Sequence, residues 1–110
     1  MLFEGEYLNG KRDGKGKEYY STGKLKFDGE YLKGKRNGKG NEYYTKGNLK
    51  FEGEYLNGKR WNGKWYNKEG NIDFEIKEGI GKGKDYDYNG KLEFEGEYLN
   101  GERNGKRERI

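Results

Sequence analysis

The architecture follows from one stretch, Phe27-Asp-Gly-Glu-Tyr-Leu-Lys-Gly34, which recurs along the chain. Near-identical copies are Phe3-Glu-Gly-Glu-Tyr-Leu-Asn-Gly10, Phe51-Glu-Gly-Glu-Tyr-Leu-Asn-Gly58 and Phe94-Glu-Gly-Glu-Tyr-Leu-Asn-Gly101. The steps from Phe3 to Phe27 and on to Phe51 are 24 residues each, the step to Phe74 is 23, and the step to Phe94 is 20. Such self-similarity indicates a repeat protein. We expect one array over residues 1–110, with units one to five at about 3–26, 27–50, 51–73, a degenerate 74–93 and a truncated 94–110.

Residues alternate with period two inside a unit, which predicts strands. Between Phe27 and Tyr31 the two rings and Gly29 share one face, and the acids share the other. A helix is disfavoured because the 21 glycines would each cost about 1 kcal/mol in a helix interior. Residues 34–40 are typical of a turn, and residues 41–44 of a second strand. We therefore expect an all-β fold: an elongated, single-layer antiparallel sheet of stacked β-hairpins, solenoid-like and without helices of note.

Aromatic rings must supply the core, because aliphatic residues are scarce. Hydrophobic residues make up 28% of the chain and charged residues 40%, yet there are 11 Tyr, 5 Phe and 2 Trp. Each aromatic side chain can bury about 150–250 Å². Gly29, on the ring face, should leave a gap for a neighbouring ring. The predicted core consists of the recurring rings Phe3, Tyr7, Phe27, Tyr31, Phe51, Tyr55, Phe94 and Tyr98.

The composition excludes several kinds of catalytic and metal site. The chain has no Cys and no His, so thiol nucleophiles, thiolate zinc sites and a Ser-His-Asp triad are ruled out. Residues 85–92 resemble the start of a calcium loop, but its twelfth position is Gly96; residues 79–84 lack the frame of a phosphate loop. We expect no catalytic residue, no cofactor and no metal. Without a visible secretory signal, we expect an intracellular protein, cytoplasmic or peripheral to a membrane.

The spacing resembles the MORN repeat, whose pattern is aromatic-x-Gly-x-aromatic-x-x-Gly-x-x-x-Gly-x-Gly, then a Gly seven residues on. In unit two the matching residues are Phe27, Gly29, Tyr31, Gly34, Gly38, Gly40 and Gly47. The chain departs from the pattern in having Tyr for the usual Trp, a period of 24 rather than 23, and Trp65 where Gly is expected. The Tyr-Tyr pairs and Lys24-Leu25 resemble a bacterial branch of the family described as antitoxins. The resemblance implies a grooved sheet, a scaffolding or partner-binding role, phospholipid binding proposed for several members, and no active site.

The second strands carry adjacent tyrosines, and one of each pair must point to the opposite face. A thin sheet cannot bury both faces, so some tyrosines should line a groove that binds a protein partner; plain structural packing is the alternative. Trp61, inserted at the tip of unit three, suits a partner contact, whereas Trp65 should fill space beside the short unit four. The candidate groove residues are Tyr19, Tyr20, Tyr43, Tyr44, Trp61, Tyr86 and Tyr88.

Basic residues recur at the predicted hairpin tips and should stack into a ridge: Lys11, Arg12, Lys35, Arg36, Lys59 and Arg60. Such a ridge could hold anionic phospholipid at about 1 kcal/mol per near-surface cation. Acidic rows such as Glu52 and Glu54 should lie one strand away and weaken the field, which favours a plain solvated surface. A net charge of only +4 makes nucleic acid a poor partner.

The sequence therefore predicts a non-catalytic scaffold that binds a protein partner through the tyrosine groove or through sheet edges. Both ends of the array look uncapped, and open edges invite strand pairing. We therefore expect either homo-oligomers formed through these edges or a chain that is a piece of a longer array. Two alternatives stay open: peripheral attachment to anionic membranes through the basic ridge, and antitoxin-like sequestration of a protein.

Overall fold

A computed structural model describes residues 2–103, which form one open antiparallel sheet with its ten strands in chain order. No helix occurs within this range. The all-β fold of consecutive hairpins is thereby confirmed. The strands are β1 (Leu2–Leu8), β2 (Lys11–Tyr19), β3 (Leu25–Leu32), β4 (Lys35–Tyr43), β5 (Leu49–Leu56), β6 (Lys59–Tyr66), β7 (Ile72–Lys77), β8 (Ile80–Tyr86), β9 (Leu92–Leu99) and β10 (Glu102–Arg103).

Each hairpin turns at only two residues. In unit two these are Lys33, with φ 51°, and Gly34, with φ 88°, as in a type I′ turn. The expected turn over residues 34–40 is wrong, because β4 already begins at Lys35. The glycines in that stretch lie inside the strand, where they meet rings. The other tips with the same pair of positive φ values are Asn9-Gly10, Asn57-Gly58, Glu78-Gly79 and Asn100-Gly101.

Gly40 shows why glycine is needed in the middle of a strand. A Cβ atom built there would lie 2.6 Å from Cζ of Phe27 and 3.0 Å from Cε1 of Tyr55. A Cβ on Gly29 would lie 2.7 Å from both Cζ of Phe27 and Cα of Gly40. Two rings therefore pack directly on the backbone of the paired glycines Gly29 and Gly40. One is Phe27, from the same strand as Gly29, and the other is Tyr55, from the next unit.

The buried rings form a continuous ladder across the sheet. Phe27 contacts Tyr31 and Tyr55 edge-to-face, with centroid distances of 5.6 and 5.4 Å, and Phe51 repeats the contact with Tyr55 at 5.5 Å. Each such pair contributes about 0.5–1.5 kcal/mol beyond its buried area. The ladder replaces an aliphatic core. Its buried members are Phe27, Tyr31, Phe51, Tyr55, Trp65, Phe74, Ile76, Phe94 and Tyr98.

The first unit departs from the expected core. Tyr7 is 59% exposed, whereas Tyr31 and Tyr55 are each 4% exposed, and Phe3 is only partly buried. The reason is that β1 pairs with β2 alone, so within residues 2–103 no strand covers its other side. Placing Tyr7 in the core on sequence grounds is therefore corrected.

Trp65 occupies the position of a buried acid, not of the glycine that the repeat pattern suggested. It pairs with Phe51 and Phe74, just as Glu42 pairs with Phe27 and Phe51. Its ring is fully buried and stacks on Phe74 at a centroid distance of 4.4 Å. The indole thus extends the ring ladder into the short fourth unit.

The sheet is strongly coiled, so it is less elongated than a flat array. Its extents are 39 × 29 × 19 Å, and the smallest is well above the roughly 10 Å that one sheet layer needs. The segment that links β8 to β9 contacts the segment that links β4 to β5. The Thr45 amide donates to the Tyr88 carbonyl at 2.9 Å, and Thr45 Oγ1 lies 3.2 Å from Asn89 Oδ1.

Candidate functional site

The core face carries groups of one buried acid, one buried tyrosine and one less buried arginine, which we call triads. In the first triad, Glu18 lies near the end of β2, and Tyr31 and Arg36 flank the next hairpin tip. The Tyr31 hydroxyl donates to Glu18, and Arg36 donates through Nε at 3.2 Å and Nη2 at 3.0 Å. The guanidinium also stacks 4.0 Å above the Phe27 ring. The triad thus joins two consecutive units and covers the ladder.

The same arrangement occurs twice more, as Glu42 with Tyr55 and Arg60, and as Asp85 with Tyr98 and Arg103. Arg60 holds Glu42 with two bonds of 2.8 and 2.7 Å. Tyr98 and Arg103 donate to Asp85 at 2.6 and 3.0 Å. Because two-pronged charge-assisted bonds are the strong ones, the triads fix the stacking of units.

Where units three and four meet, all three members of the triad are missing together. Trp65 stands at the acid position, and the shortened hairpin of unit four lacks the tyrosine and arginine positions. Ile76 pairs with Gly63 as Gly53 pairs with Gly40, and Gly81 pairs with Tyr98 as Gly38 pairs with Tyr55. An arginine left there without its acid would be a buried, unpaired charge, which is strongly destabilising. At each junction between two described units, the triad is therefore either complete or absent with apolar packing in its place.

The triad carboxylates are held in their charged form. Burial alone would raise the pKa of Glu18, but hydrogen bonds from Arg36 and Tyr31 outweigh it, and the pKa is lowered. Burial of Glu42 and Asp85 is likewise outweighed, chiefly by the charge of Arg60, which holds both pKa values well below the usual range. Such carboxylates neither give nor accept protons readily near neutral pH, so they are poor groups for acid–base catalysis.

A buried ionic network joins unit four to units two and three on the core face of the sheet. Asp85 lies 3.3 Å from both Lys50 Nζ and Arg60 Nη1. Burial and the charge of Arg60 lower the pKa of Lys50. The Tyr88 hydroxyl lies 3.4 Å from Glu42, and burial raises the pKa of Tyr88 to about 12. These contacts hold the coil of the sheet.

The tyrosines expected to line one groove do not share a surface. Tyr20, Tyr44 and Tyr88 follow the ends of β2, β4 and β8 and lie on the core face. The last residues of those strands lie on the opposite, outer face: Tyr19, Tyr43 and Tyr86. Tyr44 is 2% exposed and donates to the Tyr66 carbonyl at 2.6 Å. On the outer face, Tyr19 donates to Glu4 at 2.9 Å. Side-chain alternation along a strand and the closing of the linkers therefore disperse the expected groove.

Trp61 is used within the chain. Its carbonyl accepts from the Gly79 amide at 2.9 Å. A Cβ on Gly79 or Gly101 would lie 2.6 or 3.4 Å from its ring. Trp61 is half-buried. It thus fills the space beside the short fourth unit, which is the role that the sequence assigned to Trp65.

The expected basic ridge is divided between two faces. Arg36 and Arg60 turn inward to the triad acids and are only 20% and 19% exposed, and Arg12 lies 3.7 Å from Glu18. The lysines remain exposed, and each pairs across its hairpin with an exposed leucine that the sequence analysis overlooked. We call this surface the Leu–Lys row: Leu8 with Lys11, Leu32 with Lys35, and Leu56 with Lys59.

Among residues 2–103 no strand pairs with the outer edge of β1, and its acids bond to groups of β2 on the outer face. Glu4 accepts from the Tyr19 hydroxyl, and Glu6 accepts from the Lys15 amide at 3.2 Å. The strand contains neither lysine nor proline, which are the residues that commonly protect an edge. The exposed Tyr7 ring therefore lies on an edge that could accept another strand.

The part of the chain that the structure describes holds neither a metal-binding cluster nor a membrane-spanning helix. Residues 2–103 contain no group of three or more acids that could hold a metal ion. Within the same range no helix is present that could span a membrane. An open groove of about 500 Å³ on the outer face is lined by charges of both signs, including Asp28, Lys39 and Glu52.

The comparisons with known proteins identify the repeat. The family model for the MORN repeat matches residues 3–24, 27–49, 51–62 and 94–106. The unmatched stretch between the last two contains Trp65 and the short unit four. No curated protein matches the chain. MORN repeats are generally non-catalytic modules associated with protein or membrane-lipid interaction. On these matches the chain belongs to the MORN-repeat family.

Proposed function

We propose that this protein is a non-catalytic binding module that engages a protein partner by accepting an added strand at the outer edge of β1. The observation that supports the proposal is the exposure of Tyr7, a ring buried at the equivalent place in other units. A free sheet edge presents unpaired backbone groups, and strand addition to such edges is a common mode of recognition. The tyrosine ring offers a large contact surface for little loss of entropy.

The absence of a catalytic role is part of this proposal. The buried carboxylates are each neutralised by arginine, and the chain has neither Cys nor His to act as nucleophile or base. Each cation that lines the cavity of about 230 Å³ beside Glu42 has an acidic partner among the described residues: Arg36 and Arg60 bond to triad acids, and Lys59 lies 2.9 Å from Glu102.

The test compares two residues of β1 that are equally exposed. Tyr7 and Leu8 are both 59% exposed, but Tyr7 lies on the core face and Leu8 on the outer face. A partner identified by affinity capture and mass spectrometry should be lost with Tyr7→Ser and retained with Leu8→Ser. Equal binding of that partner by both variants would contradict strand addition at this edge. Light scattering on the same variants shows whether a second copy is the partner.

The Leu–Lys row supports a second candidate, attachment to anionic membranes. It aligns exposed leucines with lysines, a combination suited to the membrane interface. Co-sedimentation with phosphatidylserine vesicles should fall with added salt, with Lys35→Glu and with Leu32→Ser. If vesicle binding is absent, or is unchanged by added salt and by both substitutions, this candidate is ruled out. Arg36 is unsuitable for the test because it holds Glu18 in the core.

A further inference from the structure

The chemistry of the added strand can be inferred from the triads, given the proposed strand addition at β1. In units two, three and five, a tyrosine and an arginine beside the hairpin tip hold a carboxylate that comes from the unit before. Unit one has the same tyrosine and arginine, Tyr7 and Arg12. The carboxylate that would complete the triad is missing within residues 2–103.

Tyr7 and Arg12 are already in the geometry of the complete triads. The Phe3–Tyr7 ring pair has a centroid distance of 5.6 Å and an interplanar angle of 80°, identical to the Phe27–Tyr31 pair. The Arg12 guanidinium lies 4.0 Å above Phe3, as Arg36 does above Phe27. Little reorganisation is therefore needed for this pair to bind an acid.

The bonds that a carboxylate would make are unfilled. The Tyr7 hydroxyl has no hydrogen-bond partner among residues 2–103, whereas Tyr31 donates to Glu18. The nearest carboxylate to Arg12 is Glu18, at 3.7 Å, and that acid is already held by Arg36 at 3.0 Å. Charge complementarity at the edge thus favours a strand that brings one carboxylate to Arg12.

We propose that the β1 edge selects an antiparallel strand with the pattern Gly-x-Gly-x-Glu or Gly-x-Gly-x-Asp, whose carboxylate completes the triad of Tyr7 and Arg12. The register follows from β2 on β3, where Glu18 pairs with Phe27, Gly16 with Gly29, and Gly14 with Tyr31. By the same register the acid faces Phe3 and the glycines face Gly5 and Tyr7. Glycine is required because a Cβ at Gly40, the counterpart of Gly16, would lie 3.0 Å from the Tyr55 ring.

A second copy paired through its own β1 does not meet this requirement. The acids of β1, Glu4 and Glu6, alternate with Phe3 and Tyr7 and so point to the outer face. Such a pair would align rings with rings and bring no carboxylate to Arg12. The partner strand is therefore not β1 of a second copy, and self-pairing is an outcome that the test must detect.

The test uses the whole protein and a labelled peptide with the sequence of residues 36–44, Arg-Asn-Gly-Lys-Gly-Asn-Glu-Tyr-Tyr. Its counterpart carries Gln in place of Glu. Fluorescence anisotropy should show the Gln peptide binding about ten-fold or more weakly, since hydrogen bonds to a charged group are the stronger ones. Arg12→Gln should remove the preference, and Lys11→Gln, its exposed neighbour, should keep it. Tyr7→Phe, which removes only an exposed hydroxyl, should reduce it without affecting the fold.

The outcomes separate this inference from the proposed function. Equal affinity for the two peptides would overturn the carboxylate selection while leaving strand addition intact. If neither peptide binds at protein concentrations where light scattering shows a monomer, both the carboxylate selection and the strand addition are overturned. A stable dimer that survives Arg12→Gln and is not dissociated by the Glu peptide would overturn the inference in favour of self-pairing.

Discussion

Replacing Glu42 by Gln should destabilise the protein far more than replacing any exposed acid. Glu42 is 1% exposed and accepts hydrogen bonds from Tyr55 and twice from Arg60. Loss of its charge would leave Arg60 buried against Lys50 with only Asp85 to balance both. Breaking a buried ion pair by removing one partner costs about 3–5 kcal/mol. For a domain of this size, that corresponds to a fall in Tm of at least about 12 °C.

The assay is urea and thermal unfolding followed by circular dichroism, with Glu54→Gln as the control. Glu54 lies on the outer face, is exposed and accepts a single bond of 3.1 Å from Asn62, so its loss should stay within about 0.5 kcal/mol. If the loss of unfolding free energy in Glu42→Gln is within about 1 kcal/mol of the loss in Glu54→Gln, the triads do not hold the units together, and the reasoning is refuted.

Three further predictions concern the same packing. Lys50→Met should change the free energy of unfolding by no more than about 1 kcal/mol, because Asp85 keeps its bonds to Arg60, Arg103 and Tyr98. Asp85→Asn should instead lower the free energy of unfolding by about 3–5 kcal/mol, and chemical denaturation of the two variants compares these losses. Gly40→Ala should cost about 1–3 kcal/mol through its clash with Phe27, and Gly96→Ala, whose Cβ would be 3.0 Å from the nearest atom, should cost less; equal losses would contradict the close packing of rings on glycine. Stability should fall as the pH drops below about 4, because the triad acids have lowered pKa values and the unfolded chain binds more protons there; urea midpoints that are equal at pH 7 and pH 3 would contradict this.

Much of the fold could be predicted because its causes are local and repeated. The copies of Phe27-Asp-Gly-Glu-Tyr fix the strand period, and the scarcity of aliphatic residues leaves the rings as the only core. The strand boundaries could not be predicted in the same way. Residues 34–40 contain residues typical of turns, but Gly38 and Gly40 are there to admit rings and carboxylates from neighbouring strands. Glycine serves both purposes, and only the register distinguishes them.

The site was harder to predict, because the sequence does not show which face a charged residue takes. Lys35 and Arg36 are neighbours, and their pattern predicts one basic ridge, yet side-chain alternation along β4 turns the arginine toward the core face. The signal that was available is co-replacement. Glu42, Tyr55 and Arg60 recur together across units, and all three types are missing together where Trp65 stands. Reading those positions as one group would have indicated the triads.

Backbone hydrogen exchange of β1 tests the proposed strand addition most directly. The whole protein would be measured alone and with the peptide of residues 36–44, and exchange would be read residue by residue by NMR. We expect the slowing of exchange to concentrate in Leu2–Leu8, the strand with the free edge. Slowing confined to the Leu–Lys row of units two and three, or unchanged exchange in β1 at saturating peptide, would contradict the account.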